Sequence, residues 1–291
     1  MDRKRKIIRL SNLLLLLGVI LSVSSCGQLI ANAKKEFAQD LSATILEFDD
    51  PETIKKGVPA YLILMSSMIK GDPDNPGLLE SGAQLYGAYA SSFTDTEASK
   101  KALADRAFLY ASHAICIRDK NFCDVKTISY FEFERRLDAV EKVEAESLFI
   151  FVSSWAGYIE ANSADWNAIA ELPKVKAGIQ CVLEVDETVS NGSAHLYMAL
   201  MESLLPATLG GKPELAKKHF DRAIELSKGK NLMAKVLYAE KYARMKFDRD
   251  LHDKLLQEVI ESDSGSSDQT LINAIAKQKA EELLLDGNDY F

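Results

Sequence analysis

Between Lys212 and Lys228 the chain reads KPELAKKHFDRAIELSK, and apolar positions recur there at three- and four-residue steps: Leu215, Ala216, Phe220, Ala223, Ile224 and Leu226. That period lines them along one face of a helix and leaves Lys217, Lys218, Asp221 and Arg222 opposite. Pro213 suits the first turn, where its missing N–H costs nothing. Small Ala216 and Ala223 flank Phe220, so the face admits a neighbour closely at two points and plugs the gap between them. The frame Ala-x3-Phe-x2-Ala returns at Ala104, Phe108 and Ala111. Aliphatic fillings of it stand at Val175, Ile179 and Val182, and again, behind His252, at Leu256 and Val259.

The two aliphatic fillings lie 41 residues before and 36 after the Ala216 frame. Periods near 34 with added loop residues are the signature of degenerate tetratricopeptide repeats, in which each helical hairpin buries its apolar side against the next. A first helix precedes each second one: residues 77–93, 144–162, 193–205 and 231–246. Upstream, the pattern predicts a helix over 29–47, a short one from the Asp50-Pro51 cap to Gly57, and another over 60–69 opened by Pro59. Asn75 and Pro76 read as cap and first position of the helix over 77–93. Residues 120–143 fit no repeat and read as an insertion with part of a helix. A loop over 262–267 leads to a last amphipathic helix over 268–285, placed to cap the array. The expected fold class is all-α, a tetratricopeptide-like array of hairpins with flanking terminal helices.

The N-terminus adds a destination. Arg3, Lys4, Arg5, Lys6 and Arg9 precede an apolar run, Leu13 to Val23, followed by Ser24-Ser25-Cys26-Gly27. A basic region, an apolar run of about eleven and small residues make a secretory signal too short for a permanent span. Val23-Ser24-Ser25-Cys26 also has the form of a bacterial lipobox, so the expected division is a signal over 1–25 and one helical domain over 26–291, lipidated at Cys26. Loss of residues 1–25, with five basic residues and one acidic, takes the formal charge from −8 to −12. An acidic body is a poor partner for nucleic acid, whose phosphates need basic neutralisation. Such a compartment permits disulfides, and the seven-residue spacing of Cys116 and Cys123 allows a bridge, with free thiols, Cys181 among them, as the alternative.

Several blocks resemble the T-components of tripartite ATP-independent periplasmic (TRAP) transporters, the TatT lipoproteins. They are Cys26, Asp50-Pro51 through Gly57-Val58-Pro59-Ala60-Tyr61-Leu62, and Asp72-Pro73-Asp74-Asn75-Pro76-Gly77-Leu78-Leu79. Ala83-Gln84-Leu85-Tyr86-Gly87-Ala88-Tyr89-Ala90, Ser154-Trp155-Ala156, Leu209-Gly210-Gly211-Lys212-Pro213-Glu214 and Lys279-Ala280-Glu281-Glu282-Leu283-Leu284 continue the likeness. The resemblance implies a periplasmic lipoprotein that forms a homo-oligomer, a trimer, and docks a TRAP solute-binding protein. It also implies a cleft or pore in each protomer suited to a small hydrophobic ligand. Residues 116–143 depart from the family pattern.

Candidate chemistry is sparse. His113, His195, His219 and His252 are scattered without metalloprotease spacing, no phosphate loop occurs, and Ser153-Ser154-Trp155 is not framed by glycines. The expectation is a non-catalytic protein with no cofactor and no metal. Aromatic pairs on first helices, Tyr86 with Tyr89 and Trp155 with Tyr158, are the candidate ligand contacts, since first helices line the concave side of such arrays; core packing is the alternative role. A general tetratricopeptide assembly lipoprotein, binding peptide segments of envelope partners, is the alternative function.

Overall fold

A computed structural model describes residues 36–37, 40–41, 43–209, 211–263 and 269–291. The lipobox, Cys26 and most of the helix expected over 29–47 lie outside the described residues; within that span, 43–46 are helical and Ile45 is buried. The described residues are 80 % helical and include no strand.

The helices are α1 (Pro51–Gly71), α2 (Pro76–Ser92), α3 (Glu97–Arg118), α4 (Tyr130–Leu137), α5 (Ala145–Ala161) and α6 (Leu172–Asp186). They continue with α7 (Ser193–Glu202), α8 (Pro213–Leu226), α9 (Leu232–Leu237, running on through a π-turn Tyr238–Ala243 to Arg244–Lys246), α10 (Arg249–Glu261) and α11 (Thr270–Tyr290). The capping reading from sequence has its geometry. Asp50 accepts from the Glu52 amide at 3.0 Å and Asn75 from that of Leu78 at 3.2 Å, with Pro51, Pro76 and Pro213 in the first positions.

Neighbouring helices pack in chain order: α2 on α3, α3 on α5, α5 on α6, α6 on α7, α7 on α8 and α10 on α11. The recurring frame is the packing face in all four places. Ala216, Phe220 and Ala223 are buried, as are Ala104, Phe108 and Ala111, Val175, Ile179 and Val182, and His252, Leu256 and Val259. Phe220 stacks on Tyr238 of α9 at 4.7 Å between ring centres. α6 comes close to α5 through Gly178, where a Cβ would stand 2.5 Å from Val152 Cγ1. α11 then joins the ends. It packs on α9 and α10, and its first turn puts Leu271 into the apolar cluster of Ile54, Val58 and Leu62 from α1.

Two expectations about elements change. Gly57 and Pro59 do not divide the chain; α1 runs unbroken through both, with Pro59 inside the helix. The missing proline N–H strands the carbonyl of Lys55, and Tyr89 of α2 donates its hydroxyl to that oxygen at 2.9 Å. The part-helix expected within the insertion is α4, packed on α6. The last helix extends to Tyr290, because Arg244 bonds Asp286 Oδ2 at 2.7 Å and lies over the Tyr290 ring at 4.8 Å.

Candidate functional site: an aromatic cluster beneath Lys126

α5 is apolar on nearly every side, with Leu148, Phe149, Ile150, Phe151, Val152 and Trp155 all buried. A helix of that kind belongs at the centre of its packing unit, and α5 is held there between α3 and α6. Facing it on α3 is Phe108, whose ring stacks on Tyr158 at 5.0 Å, Trp155 at 5.6 Å and Phe151 at 6.1 Å. Phe133 of α4 meets the Trp155 ring edge-on at 5.9 Å. Quadrupole-favoured stacking and edge contacts of this sort add to the area they bury.

Two features set the cluster apart from an ordinary core. Trp155 is fully buried and its Nε1–H has no acceptor; Ser112, one turn beyond Phe108 on α3, likewise has a buried hydroxyl without a partner. Buried donors are nearly always satisfied, so an orphan marks a place that another molecule can complete. Above the outer edge lies Lys126, its Nζ 4.4 Å from the Tyr158 ring centre and 5.1 Å from that of Phe108. A cation over two ring faces is held there by the ring quadrupoles.

The segment that carries Lys126 is pinned from three sides. Cys116 and Cys123 are joined, with sulfurs 1.97 Å and Cα atoms 4.4 Å apart. The buried Lys174 ammonium donates to the Val125 carbonyl at 3.0 Å and pairs with Glu171 at 2.9 Å. Arg136 binds Asp124 at 2.6 Å and holds its carboxyl below the usual carboxylate range. A pocket beside this segment, walled by Ile115, Phe122, Val140 and Leu148, measures ≈ 10 Å³, room for one water and not for an organic ligand.

Of the sequence-selected aromatics, Trp155 and Tyr158 belong to one cluster, and Tyr86 and Tyr89 stand elsewhere. Tyr86 donates to the Leu62 carbonyl at 2.9 Å and its hydroxyl also lies 2.7 Å from Ser66 Oγ. With Tyr89 on the Lys55 carbonyl, both tyrosines have their hydroxyls engaged in fastening α2 to α1. The sequence pattern marks Phe108 only as a repeat position and gives no sign that it or Lys126 joins the aromatic cluster. A lysine in an insertion carries no local signal; only the fold places it above the rings.

A second polar constellation links α6, α7 and α8. His195 Nε2 lies 3.0 Å from Glu187, His195 Nδ1 lies 2.8 Å from His219 Nδ1, and Arg222 grips Glu187 with both arms of its guanidinium. Arg222 and His195 pull the Glu187 carboxyl down to about 2. Burial, then the neighbouring His195, pulls His219 down to about 4, against an opposing pull from Glu202. Among the described residues no group of three or more His, Cys, Asp or Glu is arranged to hold a metal ion. His113 faces Asp74 at 3.3 Å, and Cys116 is occupied by its bridge.

The fold and cluster define an all-helical scaffold in which consecutive helices pack in sequence around buried aromatic residues. The TRAP transporter T-component family model matches residues 47–291, the whole of that helical body, and the chain belongs to this family. No curated protein matches it. Among the described residues no helix is long and apolar enough to cross a membrane.

Proposed function

We propose that this chain is the non-catalytic, lipid-anchored scaffold of a TRAP-type uptake system, held to a bacterial membrane on its periplasmic side by acylated Cys26. It oligomerises, as a trimer, docks a periplasmic solute-binding protein and handles a small hydrophobic ligand at the cluster of Phe108, Trp155 and Tyr158. The observation that carries the reading is the family match across the entire helical body. The tetratricopeptide reading of the hairpins agrees with it, since the concave surfaces of such arrays serve to bind partners. Tyr86 and Tyr89 serve the scaffold rather than the ligand, their hydroxyls being engaged on α1.

Lys126 gives the ligand reading a mechanism. Lifting one exposed side chain uncovers the Phe108 and Tyr158 faces, and a ligand bearing an acceptor satisfies the indole N–H behind them. The test is affinity capture from periplasmic extract with the acylated protein, followed by mass determination of the complex. Recovery of a TRAP solute-binding protein supports the proposal; recovery of outer-membrane assembly factors in its place supports the general assembly lipoprotein and overturns it.

A further inference from the structure

α1, like α5, carries a long uncharged run, but one of its sides lies open. From Gly57 to Ile69 it carries no charged residue, in a chain where 27 % of residues are charged. One side, with Ile54, Val58, Leu62, Met65 and Ile69, is buried. The opposite side carries Ala60, Ile63, Leu64 and Ser67, and it is bare: Ile63 is 73 % exposed and Leu64 39 %. Helical spacing puts Lys56 and Lys70 on this outward side too, fourteen residues and about 21 Å apart. A helix apolar on both sides belongs in contact with something on both sides.

We propose that this outward face of α1 rests on the bilayer surface, with Ile63 and Leu64 in the acyl boundary and the ammonium groups of Lys56 and Lys70 among the headgroups. The inference rests on the lipid anchor of the proposed function. Size argues for lipid as the occupant. The strip between the two lysines measures roughly 200 Å², far below the roughly 800 Å² per partner of a stable protein interface, whereas a bilayer needs no matching surface. Chain length argues the same way. Only 24 residues separate Cys26 from Pro51, so the anchor holds α1 within at most about 80 Å of the membrane. The tether makes a weak apolar contact effective by raising its local concentration. The body's charge of −12 opposes adsorption to anionic lipid, so the contact is apolar in origin. Lys56, paired with Glu52 at 3.5 Å, and Lys70 flank the strip at its two ends, as basic residues do in interfacial helices.

The experiment uses the acylated full chain on vesicles of phosphatidylethanolamine and phosphatidylglycerol with brominated acyl chains. Ile63→Cys carries an environment-sensitive fluorophore; the Cys116–Cys123 bridge and buried Cys181 leave position 63 as the reactive thiol. Quenching there is expected to exceed that of the same label at Phe131→Cys, on α4, by at least about threefold. In an Ala60→Cys reporter, adding Ile63→Asp and Leu64→Asp abolishes the quenching without altering the circular dichroism. An unquenched label on acylated, vesicle-bound protein overturns the proposal and leaves the anchor standing. Shielding that grows with protein concentration and ignores lipid also overturns it, assigning the face to a second copy. Absence of acyl mass on Cys26 overturns both the anchor and the face.

Discussion

Pro59 shows how one residue's defect is absorbed by another. Its ring removes the donor that the Lys55 carbonyl needs, and the Tyr89 hydroxyl replaces it from the neighbouring helix. Tyr89→Phe should therefore cost about 1 kcal/mol, the net value of one hydrogen bond. In a Pro59→Ala background the helix supplies its own donor, and the same change should cost almost nothing. Equal costs in both backgrounds, measured by urea unfolding, would refute the pairing. Trp155 makes the opposite case, a donor with no acceptor. Trp155→Ala should destabilise by about 3–5 kcal/mol through lost packing. Trp155→Phe keeps a ring and deletes the orphan N–H, so it should cost less than half as much. If ligand uptake survives Trp155→Ala while stability collapses, the indole serves only the core.

At the scale of helices, the joint between α7 and α8 should respond to acid. His219 titrates near 4 in the folded chain, below its ordinary 6.5, so the unfolded state binds more protons between those values. The stability this histidine contributes is complete above about pH 6.5 and is lost as pH falls towards 4. Glu187, at about 2 against 4.5, adds a second loss below pH 4.5. His219→Gln should flatten the unfolding midpoint between pH 6.5 and 4 and leave the lower limb intact; an unchanged slope would show that burial does not hold the imidazole neutral. The same scale shows what could be read from residues in order. Helices with a regular apolar period and a capping residue, such as α8 behind Pro213 and α2 behind Asn75, were legible because their signals are local. The continuity of α1 was not, because Pro59 is tolerated only through a tyrosine 30 positions away. The aromatic cluster was half legible. Trp155 and Tyr158 share a helix face, but Phe108, Phe133 and Lys126 join them only through the packing of α3, α4 and the bridged loop.

For the molecule as a whole, the decisive element is α11. Stacked hairpins that touch only their neighbours unfold from the ends inward, each unit adding its own increment of stability. Here Leu271 of α11 shares a cluster with Ile54, Val58 and Leu62 of α1, while Ala276, Ala280 and Leu283 pack into the cluster of α9 and α10. Asn273, buried between them, accepts from the Leu232 amide at 3.1 Å and donates to the Lys230 carbonyl at 2.9 Å, fixing the start of α9 to the same helix. The first and last helices of the family-matched body are therefore energetically joined, and α1 is not a free end. Leu271→Ala removes the side chain that reaches α1 and should cost about 2–4 kcal/mol. Its distinguishing effect is remote: amide exchange should accelerate in α1 as well as in α11, with α5 and α6 unaffected below global unfolding. If α1 exchanged as before and only α11 loosened, the two ends would be independent and the chain would behave as an open array.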